Sequence, residues 1–125
     1  MLKVILLVGS GGFIGSVARY FGGKLINENH LSSFPLGTLT VNIIGCFLIG
    51  LFYGLSERGN LANEEWRLFL AVGLCGGFTT FSSFSIENMT LLRDGAFGYF
   101  LIYTGLSVFL GLAATFLGNL LVKVL

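Results

Sequence analysis

Apolar residues fall in four long runs, at about 4–21, 36–55, 66–92 and 96–122, separated by short polar stretches. Crossing a bilayer takes an α-helix of about 20 apolar residues, so each run is long enough to span. The first run closes on Gly22-Gly23-Lys24, and a polar linker at 27–33 follows, ended by Pro35. The second leaves through a loop at 56–65 that holds three acids and Arg58. Arg93-Asp94-Gly95 makes a tight turn before the fourth. The pattern predicts an all-α membrane protein of four transmembrane helices in one domain, 1–125. Lys3 with apolar residues 4–8, then the small residues Ser16-Val17-Ala18, also has the outline of a removable leader. We read it as a spanning helix.

Composition agrees. The 125 residues are 54% hydrophobic and 10% charged, with mean hydropathy +0.89, whereas soluble domains carry roughly 25% charged residues. An ordinary soluble domain and a disordered chain are excluded. The net charge is +1 and no basic patch is visible, so nucleic acid is no expected partner. Four spans leave no room for a soluble catalytic domain, and no enzyme is expected. Cys46 and Cys75 lie within apolar runs and read as small buried hydrophobes. His30 has no Cys or carboxylate near it in sequence to complete a metal site. The run Gly9-Ser10-Gly11-Gly12-Phe13-Ile14-Gly15 imitates a dinucleotide loop, but Ile14 stands where the third glycine belongs.

The 19 glycines concentrate inside the apolar runs. In lipid, small residues let helix backbones approach closely. Gly11-x-x-x-Gly15, Gly50-x-x-x-Gly54 and Gly73-x-x-x-Gly77 fit that use. Four spans put Lys3, Arg58, Arg67 and Lys123 on one side of the membrane and Arg19, Lys24 and Arg93 on the other. Lys/Arg asymmetry normally fixes orientation. Four against three is almost no bias, which permits an antiparallel dimer as well as a single orientation. Four short helices enclose little by themselves, so an oligomer is expected.

The third run carries the chemistry. Gly76-Gly77-Phe78-Thr79-Thr80-Phe81-Ser82-Ser83-Phe84-Ser85-Ile86-Glu87-Asn88 places hydroxyls, a carboxylate and an amide at bilayer depth, where polar groups usually face protein or a water-filled path. A helix break near 76–80 is predicted, and the carbonyls it frees can ligate a cation. A continuous helix with hydroxyls bonded to the preceding turn is the competing reading. Phe81, Phe84, Ser85 and Asn88 share one helix face. Phenyl edges are electropositive. With neutral donors they can hold a small anion weakly enough to release it, as conduction requires. Thr38 and Asn42 in the second run, and Thr104, Ser107, Gly111, Thr115 and Gly118 beside Tyr103 in the fourth, supply further polar points. The Asn42 amide reads either as an anion donor or as an interhelical hydrogen bond. Arg19 either draws anions to a mouth or snorkels to the interface. Glu87 would repel an anion unless it lies off the path, is paired or is protonated.

Three motifs together resemble the CrcB-type fluoride channel (Fluc) family. They are Gly12-x-x-Gly15-x-x-x-Arg19-Tyr20, then Pro35-x-Gly37-Thr38-Leu39-x-Val41-Asn42-x-x-Gly45, then Gly73-x-x-Gly76-Gly77-Phe78-Thr79-Thr80-Phe81-Ser82-Ser83-Phe84-Ser85-x-Glu87. The family's usual final Thr in T-F-S-T-F is Ser83 here. The resemblance implies a dual-topology antiparallel homodimer in the cell's inner (plasma) membrane, with two fluoride pores. It implies a structural Na⁺, not transported, held by backbone carbonyls at the positions of Gly76 and Thr79. Its pore phenylalanines match Phe81 and Phe84, its pore asparagine Asn42, and its fourth-helix pore groups Tyr103 and Ser107. With the face-sharing Ser85 and Thr115, these form the candidate fluoride lining, and Arg19 the candidate vestibule residue. The implied activity is passive export of fluoride that entered acidified cells as HF.

Two rivals stand beside it. A small proton-coupled multidrug exporter also has four helices, but needs a membrane carboxylate in its first helix. Here Glu87, in the third, is the candidate. A non-conducting accessory subunit would explain the glycines but not the hydroxyl, amide and phenyl track.

Overall fold

The computed structural model describes residues 1–29, 33–59 and 63–125; His30 lies outside the described residues. The elements are α1 (Leu2–Glu28), α2 (Leu36–Glu57), α3 (Glu64–Arg67), a π-helical stretch (Leu68–Cys75), α4 (Gly76–Phe78), α5 (Phe81–Arg93) and α6 (Phe97–Val124). Among the described residues four helices are long and apolar enough to cross a membrane: α1, α2, the composite third span Glu64–Arg93, and α6.

α1 runs on past Phe21 to Glu28, through Gly22-Gly23 and into the polar stretch. These glycines do not end the helix. A Cβ on Gly22 would lie 3.7 Å from Val41 Cγ2, and the Gly23 carbonyl lies against Gly37. Helix starts leave backbone N–H groups without intrahelical partners. Here the Asn27 side chain reaches across, and its Oδ1 accepts the Gly37 N–H at 3.1 Å.

The spans pair through their glycines. Gly11 and Gly15 are buried against the third span. A Cβ on Gly11 would sit 2.5 Å from the Phe69 carbonyl oxygen, and one on Gly77 2.6 Å from that of Gly12. Gly50 of α2 meets the Thr115 backbone of α6 in the same way, and a Cβ on Gly54 would lie 3.0 Å from Val122 Cβ. Residue numbers rise together in both pairs, so each pair is parallel. At one end Lys3 pairs with Glu65, and Arg58 Nη1 donates to the Val122 carbonyl at 2.7 Å. Lys3, Arg58, Arg67 and Lys123 therefore share a side. At the other, Gly95 takes φ +76° and lets Ala96 N–H bond the Leu91 carbonyl at 2.8 Å, closing α5 with the left-handed cap glycine permits. Leu39, Leu91 and Tyr103 form the buried cluster, with Phe34, Phe84 and Phe100 packed on it.

The third span is interrupted, and the interruption falls on the threonines. Gly76 and Gly77 are helical, whereas Thr79 (φ −100°, ψ 149°) and Thr80 (φ −149°, ψ 129°) are extended. The Thr79 hydroxyl donates to the Cys75 carbonyl at 3.0 Å and closes the upstream helix. The Thr80 hydroxyl accepts the Ser83 N–H at 3.4 Å and opens the downstream one, as N-cap threonines do. The π-helical stretch just upstream, absent from the sequence reading, bonds i to i+5, a form that recurs near functional sites.

Close backbone contact at Gly11 and Gly50 leaves no space for a side chain, and overpacking costs about 1–3 kcal/mol. Gly11→Val and Gly50→Val should each lower the thermal midpoint of the detergent-solubilised protein. Gly98→Ala, where a Cβ meets nothing within 4 Å, should leave it unchanged.

Candidate functional site

Two extended residues in mid-span interrupt the helical ladder, and side chains from other spans take up part of what is freed. Asn42 bridges the break. Its Oδ1 accepts the Thr80 N–H at 3.2 Å and its Nδ2 donates to the Thr80 carbonyl at 3.5 Å. Arg19 Nε donates to the Gly77 carbonyl at 3.2 Å. Among the described residues no hydrogen bond is found to the Gly76 or Thr79 carbonyl. Gly76 and Thr79 both line a cavity of about 180 Å³, with Cys46 and Cys75. No cluster of three or more His, Cys, Asp or Glu exists among the described residues. What the break offers a cation is therefore backbone oxygen, the ligand hard cations take.

Two further cavities meet at Asn42 and Thr80. The larger, about 550 Å³, is an open vestibule lined by Arg19, Lys24, Glu28, Thr38, Ser83 and Glu87 among others. The smaller, about 240 Å³, is lined by Asn42, Cys46, Thr79, Thr80, Phe81, Phe84, Ser107 and Val108. None of its lining residues is charged. Ser107 Oγ is buried without a hydrogen-bond partner, and a buried hydroxyl normally has one. The Phe81 and Phe84 ring centres lie 5.6 Å apart, and Tyr103 backs Phe84 at 5.1 Å.

Glu87 is paired by neutral donors. Thr38 Oγ1 donates to Oε1 at 2.5 Å and the Tyr103 hydroxyl donates to Oε2 at 3.0 Å. The site thus gathers Asn42, Phe81, Phe84 and Ser107 around one cavity and sets Arg19 in the vestibule. It separates the others. Tyr103 is wholly buried, with its hydroxyl on Glu87. Ser85 is exposed beside the track. Thr115 stands apart, its hydroxyl bonded to the Gly111 carbonyl at 3.1 Å and its backbone against Gly50. Arg19 turns inward onto the break rather than out to the interface. Sequence reasoning missed Thr80, which lines both cavities and would form the neck of a path between them. The available signal was a hydroxyl two residues after Phe78, three before a serine, in N-cap register.

The fold and the site define a small multi-pass membrane protein whose third span is interrupted beside polar and aromatic cavities. The chain belongs to the family described as CrcB-like protein, Camphor Resistance (CrcB), which matches residues 6–119. It is 46% identical over 123 residues to the fluoride-specific ion channel FluC of Azobacteroides pseudotrichonymphae, covering 98% of each chain. It is 48% identical over 123 residues to the protein of that name from Bacteroides fragilis, covering 96% of each. It is 51% identical over 119 residues to that of Gloeothece citriformis, covering 95% of this chain and 96% of the relative.

A hydrogen bond to a charged group contributes about 1.5–3 kcal/mol. Tyr103→Phe should therefore destabilise the detergent-solubilised protein by that amount, read by thermal unfolding. The same substitution made in Glu87→Gln should cost measurably less, because the two groups are coupled. Equal losses in both backgrounds would show that the charge on Glu87 adds nothing to the bond.

Proposed function

We propose that the chain is a fluoride-selective passive channel that exports fluoride from the cytoplasm, a channel and not an enzyme. The observation that carries this reading is the uncharged 240 Å³ cavity, where an unpartnered Ser107 hydroxyl, the Asn42 amide and two phenylalanines converge. Its names in close relatives agree with the chemistry of that cavity.

The chain's residues divide the work. Arg19 and Lys24 raise the anion concentration in the vestibule, where water screens them. Asn42 sits at the neck with one amide hydrogen bonded to Thr80 and a second able to meet an anion. Beyond the neck, hydroxyl and amide donors and the electropositive edges of Phe81 and Phe84 replace water one contact at a time. No fixed positive charge lines that cavity, so the ion can leave as readily as it enters.

The reading includes an antiparallel homodimer with two pores. Phe81 is 78% exposed in the single chain, and Ser82 and Ser85 are exposed beside it. Hydroxyls and the bare carbonyls of Gly76 and Thr79 make poor lipid contacts. A second copy would cover them, and two-fold contacts use the same patch on both partners. Nothing lies within 4 Å of a Cβ built on Gly76, so a partner's backbone has room to approach. Paired across the axis, the Gly76 and Thr79 carbonyls would hold a structural Na⁺. When bound it would supply a fixed positive potential beside both pores. A proton-coupled exporter would use Glu87 as its exchange site, but both of its oxygens already accept hydrogen bonds from neutral groups.

Liposomes loaded with fluoride and carrying the purified protein should release it without a proton gradient. The double variant Phe81→Ile with Phe84→Ile should slow release at least tenfold. Unchanged release in that variant would remove the phenylalanines from the path, and silence of the unmodified protein would remove the channel reading. Replacing Na⁺ with N-methylglucamine throughout purification should lower release, and returning Na⁺ should restore it.

A further inference from the structure

We infer that Arg19 is a positioning residue that holds the break in the third span open, beyond any part its charge plays in the vestibule. In an unbroken helix the Gly77 carbonyl would accept the N–H of Phe81, four residues on. The extended Thr79 and Thr80 carry Phe81 away, and Arg19 Nε occupies that carbonyl instead, at 3.2 Å from a position 58 residues earlier. An unpartnered carbonyl at this depth is costly. Without the guanidinium, the Gly77 carbonyl regains a partner by recoiling 79–80, which destroys the neck, or stays bare and loosens α4. Either way the geometry around Thr80 shifts.

The reach is built in. α1 lies so close to the third span that a Cβ on Gly77 would meet Gly12 backbone. Arg19 is set just under two turns beyond Gly12 on the same helix, level with the break. Arginine suits the position because it stays charged, donates several hydrogens in a fixed fork, and accepts none. One nitrogen rests on the carbonyl while the same group lines the vestibule. Lysine carries one terminal nitrogen on a flexible stem. It keeps the charge and does not reproduce a side-on bond from the ε position. Asn42 performs the matching task at the other end, on both backbone groups of Thr80.

The test compares full-length Arg19→Lys, Arg19→Gln and Lys24→Gln. The first readout is amide hydrogen exchange across residues 77–83, which makes no reference to fluoride. We expect both Arg19 variants to change it at least threefold and Lys24→Gln to leave it alone. The second readout is fluoride release at low and high ionic strength, which rests on the proposed function. Arg19→Lys should slow release at least tenfold at both salt concentrations, although the charge remains. Lys24→Gln should matter only at low salt, as a screened charge does. Wild-type exchange or wild-type release in Arg19→Lys overturns the positioning role. Should Arg19→Gln fail to fold, Arg19→Lys decides alone. Altered exchange in the Arg19 variants of a protein that releases no fluoride would keep the clamp and reject the channel reading.

Discussion

In hydrocarbon no solvent stands ready to bond a backbone N–H or carbonyl, so each must find its partner within the protein. The organisation of this molecule turns on where that condition is strained. Thr79 and Thr80 are extended in mid-span, and the first two spans and the threonines themselves contribute to the repair. The second span sends Asn42 to Thr80, the first sends Arg19 to Gly77, and the two threonine hydroxyls close the helices on either side. The residues that repair the break are also residues that border the cavities. The same side chains therefore hold the break and line the cavities, so a change to one reaches the other.

Such reach depends on backbones that nearly touch. Gly45 of α2 leaves the space that the Thr79 methyl fills, and this places Asn42, just under a turn earlier, directly against Thr80. Gly11, Gly15, Gly73 and Gly77 do the same for α1 and the third span. In water such glycines would weaken each helix. In a membrane the helix bonds are secure, and close approach is what the chain gains. The glycine stripes and the polar break are thus two parts of one arrangement: the first brings the side chains that the second needs.

The four spans were legible because run length reflects bilayer thickness directly. A break was legible from composition, since glycines, hydroxyls and a carboxylate together are out of place at that depth. Its position was less so. Glycine permits a break without requiring one: Gly77 packs on α1 and stays helical, and the exposed Gly76 stays helical beside it. Of the alternatives for Asn42, the interhelical hydrogen bond is present, on Thr80, and the side chain also borders two cavities. Partners that depend on register between spans could not be read. Thr38 and Tyr103 meet at Glu87 from helices far apart in sequence, and nothing in either local pattern announces it. Thr115 shares a stripe with Ser107, yet close packing against Gly50 takes it out of the site. The π-helical stretch left no periodic mark, because its bonding answers to the packing of its neighbours.

The placement of charge follows from the same geometry. A unit charge 4 Å from an ion interacts by about 1 kcal/mol in water and about 4 kcal/mol at the effective dielectric of a protein surface. Since about 1.4 kcal/mol is a tenfold change in an equilibrium, a guanidinium in the inner cavity would slow escape by a factor on the order of a thousand. The cations Arg19 and Lys24 instead border the open vestibule, and the inner lining is neutral. Glu87 obeys the same division. It sits on the vestibule side, where water screens it, and its two oxygens are turned to Thr38 and Tyr103. Those donors hold the carboxylate in one orientation, with Phe84 packed against Tyr103 behind it. The carboxylate is thereby made part of the wall on which Phe84 packs.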